Sequence, residues 1–174
     1  MRYLDAVDII GGPPVAPRLS YKMKSSLADE PLDRAGMEAV IESVAGLSSN
    51  VLGILQFDTL GGAVRDFEPA ATAFPHRNAR YSLQYQSYWT DRNHAPAAQS
   101  WIAAAFERID PHTSMTSYRN YTDLDLADWP QRYFGGNYPR LQRIKAALDP
   151  EDRFSFPQSI RLLADGQSGY RAAR

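Results

Sequence analysis

Residues 81–89, Tyr-Ser-Leu-Gln-Tyr-Gln-Ser-Tyr-Trp, alternate without a break. Side chains on a strand point to opposite faces in turn. Tyr81, Leu83, Tyr85, Ser87 and Trp89 therefore share one face, and Ser82, Gln84, Gln86 and Tyr88 share the other. A strand of this kind needs a packed layer on its aromatic side and a polar environment on its glutamine side. The polar face reads in two ways, as the wall of a wetted cavity or as a plain solvent-exposed surface.

The rest of the chain supplies the packed layer. Residues 9–17 have turn and linker chemistry, with Gly-Gly-Pro-Pro at their centre. Residues 18–24 alternate, with Leu19, Tyr21 and Met23 on one face, and predict a strand. Pro31 opens a helix that runs to about Gly46, on which Met37, Val40, Ile41 and Val44 form one buried stripe. An apolar strand at 51–57 runs into Asp58-Thr59-Leu60-Gly61-Gly62 as a turn or bulge, and a short edge strand follows at 63–67. Residues 69–80 read as an irregular loop. A second helix at 95–109 carries Ile102, Phe106 and Ile109 and ends before Pro111. Residues 113–122 are extended or turning, and Trp129-Pro130 starts a short helical turn. A last helix runs from Tyr138 to Asp149-Pro150 with Leu141, Ile144 and Leu148 as its apolar face. Residues after about 162 read as a frayed tail. This order predicts an α+β fold, an antiparallel sheet with helices on one face.

Composition narrows the function. A chain of 174 residues is about one domain. Its net charge of −1 gives no electrostatic case for nucleic acid or an anionic membrane. No apolar run approaches the ~18 residues that a membrane span needs. The chain has no cysteine, and His76, His94 and His112 lack metal-ligand spacing, so no metal site is expected. Asp5 and Asp8 interrupt what would be the apolar part of a signal peptide, and the compartment stays open. No glycine-rich phosphate loop follows a strand, since Gly61-Gly62 does not open a helix with dinucleotide spacing.

Four clusters carry candidate chemistry. Tyr118-Arg119-Asn120-Tyr121 brings two phenols and an amide together, either around a pocket or as structural hydrogen-bonding tyrosines. A phenol with its ordinary pKa of about 10 is a poor base until a neighbour stabilises the phenolate. Asn120-Tyr121-Thr122 is also a glycosylation sequon, a reading that competes with a pocket-facing asparagine. Gln84 is polar among apolar neighbours and reads as a pocket group or an exposed one. Asp58, at a strand end, reads as an orienting carboxylate or a turn cap. Pro75-His76-Arg77 offers a loop histidine, either basic or structural.

These pieces resemble one family. Residues 55–64 (LQFDTLGGAV), 73–77 (AFPHR), 81–89 (YSLQYQSYW), 118–126 (YRNYTDLDL) and 133–160 (YFGGNYPRLQRIKAALDPEDRFSFPQSI) stand in the order of the berberine-bridge-enzyme-like FAD-linked oxidases. The resemblance covers about residues 18–160. It implies the carboxy-terminal part of a vanillyl-alcohol-oxidase-type fold. Residues 1–17 are then a lead-in or linker, 18–126 a partial substrate-binding domain, 127–162 the berberine-like carboxy-terminal segment and 163–174 a flexible tail.

The resemblance also implies FAD as cofactor and a small-molecule substrate. Tyr121, Gln84 and Asp58 fall at catalytic positions. A tyrosinate at Tyr121, supported by Asp58, would take the hydroxyl proton of a sugar, polyol or phenolic alcohol while hydride passes to the flavin, which oxygen reoxidises. Tyr118, Asn120 and Asn137 fall at positions near the flavin. The family's covalent attachment residues and phosphate-binding segment have no counterpart in these 174 residues. The chain by itself is therefore expected to bind FAD weakly or not at all, to be inactive alone, and to work, if it works, with a separately encoded flavin-binding half. The alternative is a truncated, flavin-free remnant or a small-ligand-binding module without catalysis.

Overall fold

The computed structural model describes residue 3, residues 19–49 and residues 51–163. The expected lead-in and tail lie outside these, apart from residues 3 and 163. Three strands, β1 (Ser20–Ala28), β2 (Leu52–Thr59) and β3 (Tyr81–Trp89), form an antiparallel sheet in the order β1-β3-β2. Ser25 and Gln56 both lie opposite Gln84, one on each neighbouring strand. The strand between two others is thus the one with the clean alternation, and both of its faces are spoken for.

Helices α1 (Arg34–Ala45) and α2 (Ala95–Ile109) cover the aromatic face. Leu83 and Tyr85 of β3 pack there with Ala39, Ile102, Ala105 and Ile109. Shorter helices α3 (Trp129–Phe134) and α4 (Tyr138–Leu148) follow, and Leu126, Trp129, Tyr133 and Phe134 form a second cluster that meets the first through Phe106. The architecture is the expected α+β arrangement.

Several local expectations are corrected. β1 continues to Ala28, beyond residue 24, and β2 runs through Asp58 and Thr59 without turning. Residues 62–66 form a 3₁₀ turn and no edge strand. Gly61 (φ 156°) and Gly62 (φ 54°) bend the chain away from the sheet into conformations that other residues rarely adopt.

Helix α1 is placed as predicted, with Asp33 accepting a cap bond from the Gly36 amide at 2.7 Å, but it is rolled about its axis. It buries Gly36, Ala39 and Ser43; of the expected stripe Val40 packs against the core, while Met37, Ile41 and Val44 are exposed. Small residues let the helix come close: a Cβ on Gly36 would stand 2.8 Å from that of His112. On α4 only Leu141 of the expected apolar face packs inward, whereas Ile144 and Leu148 are exposed.

Candidate active site

The glutamine face of the sheet ends in a cleft of about 630 Å³. Its floor is β2 and β3, which present Gln56, Asp58, Ser82 and Gln84. Its far wall is the loop that carries Tyr118, Asn120 and Tyr121. Five of the six predicted site residues thus meet in one cavity. The polar face of β3 is a cavity wall rather than an open surface, and Gln84 and Gln86 are buried.

Asn137 is elsewhere. Its side-chain amide donates to the carbonyls of Pro69 and Thr72 at 2.7 and 2.9 Å, pinning the 69–72 loop. His76 does not line the cleft either. Its Nε2 meets the Tyr133 carbonyl at 3.2 Å, and burial lowers its pKa, so it is a neutral packing group.

Asp58 is held by amides on both oxygens. Gln56 Nε2 donates to Oδ1 at 2.8 Å, and Gln84 Nε2 donates to Oδ2. Behind them, Gln86 Nε2 donates to Gln56 Oε1 (3.1 Å) and to Gln84 Oε1 (3.2 Å), and Tyr88 Oη donates to Gln86 Oε1 (2.6 Å). Every donor in this array points towards Asp58. A carboxylate that accepts on both oxygens has its orientation fixed. Sequence reasoning placed Gln84 and Gln86 together on the polar face of β3 and missed Gln56. The signal was present, because Gln56 and Asp58 are two apart on one strand and so share a face.

Opposite this array, Tyr118 and Tyr121 stack edge to face at 5.2 Å, and Phe74 packs edge-on against Tyr118 at 6.0 Å. Asn120 Nδ2 donates to Tyr118 Oη at 3.0 Å, which puts the sequon asparagine on the cleft wall. Burial, the negative charge of Asp58 and the neighbouring Tyr118 all raise the Tyr121 pKa above the ordinary phenol range. Among these groups Asp58 disfavours a tyrosinate, contrary to the support expected from it, because like charges oppose ionisation. These influences favour the neutral phenol at Tyr121.

Among the described residues, no group of three or more His, Asp or Glu side chains could hold a metal ion, and no helix is long and apolar enough to cross a membrane.

Comparison with known proteins gives this arrangement its family. Residues 117–161, which carry the tyrosine loop and the Phe-Pro-Gln-Ser-Ile motif, match the family described as berberine and berberine like. The chain is 30% identical over 159 residues to berberine bridge enzyme-like 6 of Arabidopsis thaliana, covering 82% of this chain and 28% of that protein. It is 28% identical over 158 residues to an uncharacterized FAD-linked oxidoreductase, YgaK, of Bacillus subtilis (strain 168), covering 91% of this chain and 35% of that protein. A glycopeptide hexose oxidase solved with teicoplanin superposes with a TM-score of 0.77 at 27% identity, over 87% of this chain and 34% of that one. The chain spans about a third of the length of the curated relatives it matches. Residues 117–161, which contain the tyrosine loop, thus carry the berberine-like segment, and over most of its described length the chain is similar in sequence and fold to berberine-bridge-enzyme-like FAD-linked oxidoreductases.

Proposed function

We propose that the chain forms the substrate-facing wall of an FAD-linked oxidase that oxidises an alcohol carbon of a sugar, polyol or phenolic substrate. The observation that carries this reading is the carboxylate of Asp58, fixed by two amides and facing the neutral phenol of Tyr121 across one cleft.

The cleft fits part of the cofactor. Phe74, Tyr118 and Tyr121 give it an aromatic wall suited to a flat ring, with amides and a carboxylate facing it. Its two cations are engaged within the chain: Arg77 donates to the Val64 carbonyl and Thr72, and Arg119 to Thr122. The cleft therefore suits the ring of FAD and the substrate beside it. The reading assigns the grip on the pyrophosphate to sequence outside these residues, on the same polypeptide or on a separate flavin-binding partner.

Bound FAD supplies the hydride acceptor and the path to oxygen. The chain's share is the proton. A substrate hydroxyl seated between the two walls gives its proton to Asp58, while Tyr121 Oη donates a hydrogen bond to the oxygen that is losing it. Gln84 and Gln56 keep the carboxylate from turning away, and Tyr118 and Asn120 line the wall that holds the ring. Asn137 acts at one remove by fixing the 69–72 loop. A hexose oxidase among the structural neighbours favours a sugar-like substrate.

The test is anaerobic mixing of the chain, joined to its flavin-binding portion and loaded with FAD, with D-glucose, xylitol and 4-hydroxybenzyl alcohol. Bleaching of the flavin band near about 450 nm reports hydride transfer. Asp58→Asn and Tyr121→Phe are expected to slow bleaching by roughly 10²- to 10⁴-fold, the usual size of a positioned acid–base group. Full rates in both variants would remove Asp58 and Tyr121 from the chemistry, and no bleaching by any of the three alcohols would favour a ligand-binding module without catalysis.

A further inference from the structure

The loop that carries Tyr118 and Tyr121 has no regular secondary structure, yet buried groups fix it at both ends. At its start, Ser117 Oγ donates to the Ser25 carbonyl (2.8 Å) and accepts from Arg132 Nε (3.2 Å), and the Tyr118 amide donates to Ser25 Oγ (3.0 Å). Arg132 is itself paired with Asp110, and both are buried. At its end, Asp123 takes Lys24 Nζ at 2.6 Å and Lys22 Nζ at 2.7 Å. The loop thus straddles the edge of β1, with Tyr118 tied on the cleft side and Asp123 tied on the helix side.

The backbone of Asp123 is held as firmly as its side chain. Its amide donates to Tyr133 Oη at 3.0 Å. Its carbonyl accepts from Gln158 Nε2 at 2.6 Å, and the same nitrogen reaches the Leu126 carbonyl at 3.4 Å. Gln158 lies in the Phe-Pro-Gln-Ser-Ile motif, 35 residues further on, and is 3% exposed. Its own carbonyl oxygen is buried without a partner among the described residues. A buried amide left half-satisfied costs stability, and a methionine of similar size would pack there without that penalty. The amide's donor is the property that the site uses.

We propose that Gln158 is a positioning residue for Tyr121: its amide fixes the backbone two residues beyond the phenol, and the Lys22–Lys24–Asp123 ion pairs hold the same point from the opposite side. This gives the carboxy-terminal motif a task inside the cleft although no atom of it lines the cavity. The proposal rests on the catalytic reading of Tyr121 only for its effect on turnover; the effect on the geometry of Tyr121 is independent of that reading.

The experiment uses 3-fluorotyrosine incorporated at all ten tyrosines, with Tyr121, Tyr118 and Tyr85 assigned through single Tyr→Phe changes. Gln158→Met is expected to shift or broaden the Tyr121 and Tyr118 fluorine resonances and to leave that of Tyr85, on the opposite face of the sheet, in place. In the flavin-loaded protein the same variant should lower kcat tenfold or more with KM within about twofold, since small misplacement of a reacting group has effects of that order. An unmoved Tyr121 resonance overturns the proposal. So does equal movement of all three resonances, which would mean general loosening. Should Gln158→Met not fold, Lys22→Met, a change at a half-buried side chain, must produce the same selective shift, and its absence is equally decisive. A selective shift in Gln158→Met, together with unimpaired turnover in Tyr121→Phe, would sink the oxidase mechanism and leave the positioning role intact.

Discussion

The two faces of β3 are built on opposite principles. On the helix side, Leu83 and Tyr85 are fully buried among alanine and isoleucine. Tyr85 Oη has Ser26 Oγ at 3.2 Å, and burial pushes its phenol far above the ordinary range. On the cleft side, one residue away, Gln84 and Gln86 are nearly as buried but touch amides and a carboxylate. One face gains from removing apolar surface from water. The other buries polar groups and must pair each of them to break even. Stability should therefore come from the helix face, and chemistry from the cleft face.

Substitutions can break that contrast, beginning where the effect is largest. Ile102→Ala in the helix-side core should cost about 2–5 kcal/mol of stability, read from denaturant unfolding. Asp110→Ala, which leaves Arg132 buried without its carboxylate, should cost about 3–5 kcal/mol by the same measurement. If either is silent, the helix face is not the stabilising one. Gly53→Ala comes next. A Cβ there would stand 2.6 Å from the Trp101 ring, so the strand or the indole must shift, at about 1–3 kcal/mol.

On the cleft face the expectation reverses. Gln56→Leu should change stability by no more than about 1–2 kcal/mol, because Gln56 is exposed and water can replace its lost hydrogen bonds. In the flavin-loaded protein it should nonetheless slow flavin bleaching, because Asp58 loses the donor on Oδ1. A large loss of stability with unchanged bleaching would erase the division between the faces.

The smallest effect concerns pH. Burial lowers the His76 pKa, against the raising influence of the Tyr133 and Arg132 carbonyls. The unfolded chain takes up a proton near the ordinary histidine pKa of about 6.5, and the folded chain does so only at lower pH. Stability should therefore fall as pH drops from about 6.5 towards the folded value and be flat above that window. His76→Gln should remove this part of the slope in thermal melts run from pH 5 to 8.

Much of this was legible in the sequence, unevenly. The alternation of β3 identified both faces because period two is strict and its partners flank it on both sides. Tyr118, Asn120, Tyr121, Asp58 and Gln84 could be grouped from resemblance, and the fold does bring them into one cleft. Helix α1 was misread because an apolar stripe predicts the buried face only when the neighbouring surface has room for large side chains. Here the surface favours close approach, and Gly36, Ala39 and Ser43 face inward. The full amide array was not legible, because the pairing of Gln56 with Gln84 across β2 and β3 depends on strand register, although Gln84 and Gln86 already shared one polar face. Gln158 escaped for a similar reason, since its partners lie 32 and 35 residues away in sequence.

Phe106 carries one more implication. Lys24 Nζ lies 4.9 Å from the centroid of its ring, and the Arg132 guanidinium carbon lies 5.4 Å from it. One aromatic ring therefore serves the cation at each end of the tyrosine loop. The energies of the two attachments cannot be additive: weakening one lets the ring readjust towards the other. A double-mutant cycle between Lys24→Met and Arg132→Met should show a coupling of about 0.5–3 kcal/mol, and Phe106→Leu should collapse it. The loop would then loosen as a unit, which makes the two tyrosines a single mechanical element rather than two side chains tuned separately.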